Sequence, residues 1–294
     1  MIHLKHMRKK VLITGANSGI GLQSALQLAR AGYDVLVLCR TSDKVAATCQ
    51  AVQAANPQIV CEGYAADLGD LAAVRAAAVS IAAQHPRIDV LLNNAGYFPD
   101  AISYTGEVEN SLLASHLGHF LLTTLLLPAL QASGEGRIIN VSSAIHASGK
   151  VDRMFRKVEG LSPMQAYGDA KLANILFTLG LDKRLPASVT AYALHPGVVR
   201  TNFDSRIKGP ARILIALIKP FFVGADKGAE TSVYLASAPI DALRPYRGRY
   251  FVSKKPAATR SADLTSAHAD QLWERSAIYV QAYLDAQQGG RPVR

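Results

Sequence analysis

Residues 11–22 run Val-Leu-Ile-Thr-Gly-Ala-Asn-Ser-Gly-Ile-Gly-Leu. The first four, Val11 to Thr14, are apolar or β-branched and suit a buried strand. Beyond them, Leu22, Ala25, Leu26 and Ala29 repeat at i, i+3, i+4 and i+7, one buried face of a helix over 19–31. The turn between holds Gly15, Gly19 and Gly21. Glycines there permit a tight turn and close backbone approach, and the helix N-terminus that follows offers partial positive charge to a pyrophosphate. Thr14, Gly15, Asn17, Ser18, Gly19, Ile20 and Gly21 are therefore candidate contacts to a dinucleotide.

Outward from this unit the same alternation repeats. Further strands are expected over 34–39, 59–64, 88–92, 137–141, 189–194 and 248–252, about seven in all. Their apolar runs are continuous, as in parallel strands covered on both faces. Helices are expected over 43–55, 71–84, 107–130, 163–185, 225–237 and 272–287. Strand and helix in strict alternation specify an α/β fold with a doubly wound parallel sheet. No linker, repeat or low-complexity tract divides the chain, so residues 1–294 read as one domain. Only residues 200–224 break the rhythm; this apolar stretch, with Ile213, Leu214, Phe221 and Phe222, is expected to be a substrate-covering lid.

With 49% hydrophobic and 18% charged residues, disorder is excluded, and the net charge of +10 favours anionic ligands without choosing among them. Cys39, Cys49 and Cys61 lack C-x-x-C spacing and point to a reducing, cytoplasmic setting without a disulfide framework or a zinc site. No uninterrupted apolar run approaches the ~18–20 residues of a membrane span.

Further candidates fall at strand ends, where open α/β sheets bind ligands. Arg40 closes the second strand, 19 residues beyond Gly21, and an arginine there suits a ribose 2′-phosphate, which favours NADP over NAD. Asp67 and Leu68 close the third; an aspartate there also reads as a helix N-cap. Asn93, Asn94, Ala95 and Gly96 close the fourth, a polar turn fit either for a ligand or for plain turn chemistry. Ser143 follows the fifth strand, where a hydroxyl can hydrogen-bond a substrate oxygen or simply form a turn. Tyr167 and Lys171, four apart on a helix, share a face, and an ammonium beside a phenol lowers its pKa from ~10 toward acid–base use.

In this order Thr14 to Gly21, Asn93 to Gly96, Ser143, Tyr167 to Lys171, and Pro196 and Gly197 with Thr201 resemble the short-chain dehydrogenase/reductase family over about residues 9–285. Leu38-Cys39-Arg40, His116 to Phe120 and His195 to Arg200 resemble its retinol dehydrogenase subgroup. The resemblance implies a Rossmann-type fold and an NADP(H)-dependent oxidoreductase interconverting an alcohol and a carbonyl, with a lipophilic small molecule as substrate. Tyr167 would be the general acid/base, Lys171 its partner and a ribose contact, and Ser143 the substrate orienter. Asp67 would meet adenine, Asn93 to Gly96 would line the cofactor, and Pro196, Gly197, Val199 and Thr201 would lie near the nicotinamide or pyrophosphate.

The family asparagine that supports a proton relay is Ser115 here, so a slower relay is expected at that catalytic position. An NADP-binding regulatory module with little turnover is the alternative. His116 and His119, at i and i+3, lack a suitably spaced third ligand, and no metal is expected. The basic set Arg244, Arg247, Arg249, Lys254, Lys255 and Arg260 reads as a solvated face, with peripheral contact to an anionic membrane as runner-up; it carries no nucleic-acid motif. Self-association into a homo-oligomer is left open.

Overall fold

A computed structural model describes residues 8–197 and 224–285. Its first half alternates β1 (Lys10–Thr14), α1 (Gly19–Arg30), β2 (Asp34–Cys39), α2 (Ser42–Ala55), β3 (Cys61–Ala65), α3 (Leu71–Gln84) and β4 (Val90–Asn93). A hairpin, β5 (Tyr104–Thr105) and β6 (Val108–Glu109), leads into α4 (Asn110–Leu112), a π-turn (Leu113–Leu117) and α5 (Gly118–Gln131). Then come β7 (Gly136–Val141), α6 (Pro163–Asp182) and β8 (Val189–His195). After the undescribed stretch follow α7 (Ala225–Ser237), α8 (Ile240–Leu243), β9 (Tyr250–Val252), β10 (Lys255–Pro256) and α9 (Ser266–Asp285).

The main sheet has the order β10-β9-β8-β7-β4-β1-β2-β3 and is parallel except for β10. β1 pairs in parallel with both β2 and β4, so the chain reverses its direction of travel across the sheet there. The crevice beyond the carboxyl ends of β1 and β4 is the place where such folds bind ligands. All seven expected strands are present. The eighth, β10, adds two residues antiparallel to β9, and its Pro256 sits where an edge tolerates proline.

Each face of the sheet is buried separately. Leu12, Leu36, Leu91 and Ile138 pack against α3, α5, α6 and α9, whereas Val11, Val35, Leu92 and Tyr192 pack against α1, α2 and α7. The buried Arg137 on β7 donates to the carbonyls of Leu235 and Ala236, both at 3.0 Å, and so satisfies the last turn of α7. A Ser162–Gln165 capping box with Pro163 starts α6.

The helix expected over 107–130 begins instead at Asn110, because the buried Glu109 carboxylate accepts the Ser111 N–H at 2.7 Å and Glu109 itself stays in β6. The segment Asn110–Gln131 also has the length and mean hydropathy of a membrane span, although no uninterrupted apolar run marks it in the sequence. It is mostly buried among α3, α6 and the sheet, as a core helix is. The expected lid lies outside the described residues except for Gly224.

Candidate active site

The turn after β1 is shaped by three glycines. Gly15 and Gly19 adopt φ +64° and +54°, the left-handed region that penalises a side chain. Gly21 has a different reason: a Cβ there would lie 2.4 Å from the Gly15 carbonyl oxygen and 2.5 Å from Asn94 Nδ2. Ser18 is the N-cap of α1, yet its hydroxyl makes no capping bond, which leaves the first N–H groups of the helix available to an anion.

Thr14, beneath this turn, is a fully buried junction. Its Oγ1 accepts the N–H groups of Asn94 and Ala95, each at 3.0 Å, and lies 2.8 Å from His119 Nε2. His119 Nδ1 faces the Ser115 carbonyl at 2.9 Å and must donate to it, so Nε2 accepts the Thr14 proton. Burial holds His119 down at about 4 and keeps it neutral in this role. Asn94 Nδ2 donates to the Thr14 carbonyl at 2.9 Å, which binds the turns after β1 and β4 together. Asn93 is buried as well, donating to Thr123 Oγ1 at 3.0 Å and to Asn140 Oδ1 at 2.9 Å.

On α6, Tyr167 is half-buried and open to the cleft, its ring edge-on to Phe98 with centroids 5.4 Å apart. Lys171 is buried; its ammonium donates to the Val141 carbonyl at 3.1 Å and lies 5.4 Å from the Tyr167 ring centroid. Gly96 makes room for it, since a Cβ there would sit 3.0 Å from Lys171 Nζ. Burial raises Tyr167 to about 12 and lowers Lys171 to about 8. Ser143 caps the turn Ala144–Ser148 with a long 3.4 Å contact from the Ile145 N–H, in which its oxygen only accepts.

One cleft of about 1550 Å³ collects these groups. It exceeds the roughly 300–1,000 Å³ of ordinary small-molecule sites. Gly15, Asn17, Ser18, Gly19, Ile20, Gly21, Arg40, Asp67, Leu68, Asn94, Ala95, Gly96, Ser143, Tyr167, Lys171, Pro196 and Gly197 all line it. Thr14, Asn93 and Ser115 lie beneath and support it. Val199 and Thr201 lie outside the described residues. A hollow of about 550 Å³ between Pro86, Pro128 and Leu284 is lined by no titratable group.

Residues 9–210 match the family model described as short chain dehydrogenase. The chain belongs to the short-chain dehydrogenase/reductase family. It is similar to mouse retinol dehydrogenase 12, at 38% identity over 275 residues, covering 91% of this chain and 85% of that protein. It is also similar to human dehydrogenase/reductase SDR family member 13, at 39% over 281 residues, 91% of this chain and 72% of that one. Among solved structures, an uncharacterised protein from Mycobacterium paratuberculosis superimposes with a TM-score of 0.72 at 31% identity, covering 93% of each chain. Within its family the chain is retinol dehydrogenase-like.

For this short-chain dehydrogenase/reductase the structure revises one reading and adds contacts to others. Asp70, not Asp67, caps α3, accepting from Ala72 and Ala73; the Asp67 carboxylate accepts the Gly69 N–H, at 2.9 Å, and is exposed. The Ser115 hydroxyl accepts the Tyr97 N–H. His116 and His119 diverge, His116 Nε2 meeting Ser276 Oγ at 2.8 Å. In the basic set Arg244, Arg249, Lys254, Lys255 and Arg260 are exposed and Arg247 is partly buried; Arg247 pairs with Asp182, Lys254 with Glu230, and Arg244 donates to the Ala187 carbonyl. Lys44, Tyr97, Phe98, Ile145 and Met164 line the cleft without having been singled out in the sequence. Lys44 lies four residues beyond Arg40, on the first turn of α2, and was legible; the apolar four carry no motif.

Proposed function

We propose that this enzyme interconverts apolar alcohols and their carbonyl compounds with NADP(H), and that Tyr167 is the general acid and base. The observation that carries this reading is the convergence of Ser143, Tyr167 and Lys171 on the cleft that the glycine turn of α1 also opens into. The residues present fit a phosphorylated dinucleotide: α1 offers uncapped N–H groups, and Gly21 leaves space that a Cβ would fill. Exposed Arg40 and nearby Lys44, at the far end of the cleft, supply cations for a 2′-phosphate. Bound NADPH supplies the hydride.

At neutral pH Tyr167 keeps its proton and Lys171, at about 8, is mostly charged. That ground state suits donation of the Tyr167 proton to a carbonyl oxygen, with the ammonium stabilising the phenolate left behind. Among the described residues the Ser143 hydroxyl donates to no acceptor, so it can donate to the same oxygen and stabilise its developing charge. Tyr97, Phe98, Ile145 and Met164 give the cleft an apolar side and favour a lipophilic substrate.

NADPH oxidation against a panel of apolar aldehydes and ketones, retinal included, tests this reading. Tyr167→Phe is expected to lower turnover by about 10²–10⁴-fold with unchanged NADPH affinity. Turnover retained by that variant would overturn the assignment, and NADPH binding without turnover in the wild type would favour a regulatory module. Arg40→Asp is expected to reverse the preference for NADPH over NADH in binding titrations.

A further inference from the structure

We infer that Asp169 is a positioning residue: with Arg153 it clamps the loop following Ser143 onto the helix that carries Tyr167, and so holds the two reacting side chains in register. The inference rests on the reductase reading above. Ser143 and Tyr167 are separated by 24 residues, and such a long connection needs something to fix it. Its first part folds into two short helical turns, Ala144–Ser148 and Val151–Arg153. Ala144 and Ile145 line the cleft beside Ser143.

Asp169 lies two residues beyond Tyr167 on α6 and is buried. Its Oδ1 accepts the Lys150 N–H at 2.8 Å and Arg153 Nη2 at 2.6 Å, and its Oδ2 accepts Arg153 Nε at 3.0 Å. Arg153 Nη2 also donates to the Ser148 carbonyl at 2.8 Å, so one guanidinium spans helix and loop. Burial works to raise the Asp169 carboxyl, and the bonds from Arg153 and Lys150 oppose it. Between the two elements there is no spare space: a Cβ on Gly149 would meet the Gly168 carbonyl oxygen at 2.5 Å, and one on Gly168 would meet Ser148 Oγ at 2.5 Å.

A second carboxylate closes the loop from the other side. Asp263 accepts the Val151 N–H at 2.9 Å and pairs with the Lys150 ammonium at 3.6 Å. Lys150 and Val151 are therefore held between a carboxylate on the Tyr167 helix and one on the segment before α9. The glycine turn and the turn after β4 make none of these bonds, so loosening the clamp should disturb the reacting groups and spare the dinucleotide.

The test uses Asp169→Asn, which keeps shape and an acceptor but not charge, and Arg153→Ala, whose gap can take added guanidinium. For both, kcat is expected to fall about 10- to 100-fold, as for small misplacements of reacting groups. NADPH affinity should stay within about twofold, because the dinucleotide contacts are untouched. The isotope effect with NADPH deuterated at the transferred hydride should rise, and the Lys150 and Val151 amides should exchange faster. Millimolar guanidinium should restore part of the Arg153→Ala rate and leave wild type unaffected. Should Asp169→Asn fail to fold, Arg153→Lys, which keeps charge but loses the fork, takes its place. Unchanged exchange at those amides overturns the clamp, and so does faster exchange with wild-type kcat and isotope effect. Turnover retained by Tyr167→Phe would strike only the reductase reading, since amide exchange still judges the clamp.

Discussion

The hydroxyl of Ser115 accepts the backbone N–H of Tyr97 at 3.0 Å, joining the π-turn before α5 to the turn that follows β4. Ser115 is fully buried, so Ser115→Ala strands the Tyr97 N–H away from water. A buried donor left without a partner costs about 1–3 kcal/mol. Urea denaturation is expected to show that loss. Ser115→Asn, which restores the residue type implied by the family resemblance, must fit extra atoms into the same space and is expected to cost about 1–3 kcal/mol by overpacking. If both variants unfold at the wild-type midpoint, the bond contributes nothing and Ser115 acts elsewhere.

Lys171 sets a pH dependence of its own. Its pKa is lowered to about 8, so the ammonium beside Tyr167 is lost as pH rises through that value. Carbonyl reduction should therefore fall above about pH 8, and Lys171→Arg, whose guanidinium does not titrate there, should abolish that limb of the profile. For stability the sign is opposite. Above about 8 the unfolded chain, with an ordinary lysine near 10.4, binds the proton that the folded chain has released, so this group adds stability between those values and none below. A profile of kcat without an inflection near 8, in wild type and variant alike, would remove Lys171 from the titration.

The seven principal strands were legible because parallel strands covered on both faces are apolar throughout, and the helices because one face repeats with helical spacing. The strand ends and one helical pair carried the candidate site: Gly15, Arg40, Gly96 and Ser143, which follow strands, and Lys171 on α6 all reach one cleft. What stayed hidden depends on partners distant in sequence. Glu109 delays a helix start through its bond to Ser111, and β10 is too short to show a period. Tyr97 and Phe98 follow a recognised turn, but their place in the wall depends on Ser115 and Tyr167, 18 and 69 positions further on. Asp169 looks like an ordinary helix charge until the loop around Arg153 folds back on it.

Gly21→Ala tests the fit between the two turns. The added methyl would lie 2.4 Å from the Gly15 carbonyl oxygen, which is backbone and cannot swing aside, and 2.5 Å from Asn94 Nδ2, which holds the Thr14 carbonyl. Relief requires the turns to part. A stability loss of about 1–3 kcal/mol is expected from such overpacking. NADPH affinity should fall with it in a fluorescence titration, whereas Gly134→Ala, remote from the cleft in the turn after α5 and strained only by its φ of +76°, should leave NADPH affinity unchanged. Equal NADPH affinity in wild type and Gly21→Ala would separate this turn from cofactor binding.

Phe98→Ala tests the apolar side of the cleft and its link to the acid. The Phe98 ring meets Tyr167 at an interplanar angle of 62°, a T-shaped contact of a kind worth about 0.5–1.5 kcal/mol beyond its buried area. Loss of it should lower kcat/KM for ring-bearing carbonyl substrates by about 2- to 10-fold relative to short-chain aldehydes, which have no ring to set against the wall. A second consequence follows from the same contact. Burial holds Tyr167 up at about 12, and removing a covering ring admits water, so the phenol pKa should fall and alcohol oxidation, which needs the phenolate, should begin at lower pH. Competition kinetics between a ring-bearing and a short-chain aldehyde checks the first effect, and the acid limb of the oxidation profile the second. A selectivity ratio identical to wild type would show that Phe98 takes no part in choosing the substrate; an unmoved acid limb would show that other groups keep Tyr167 dry.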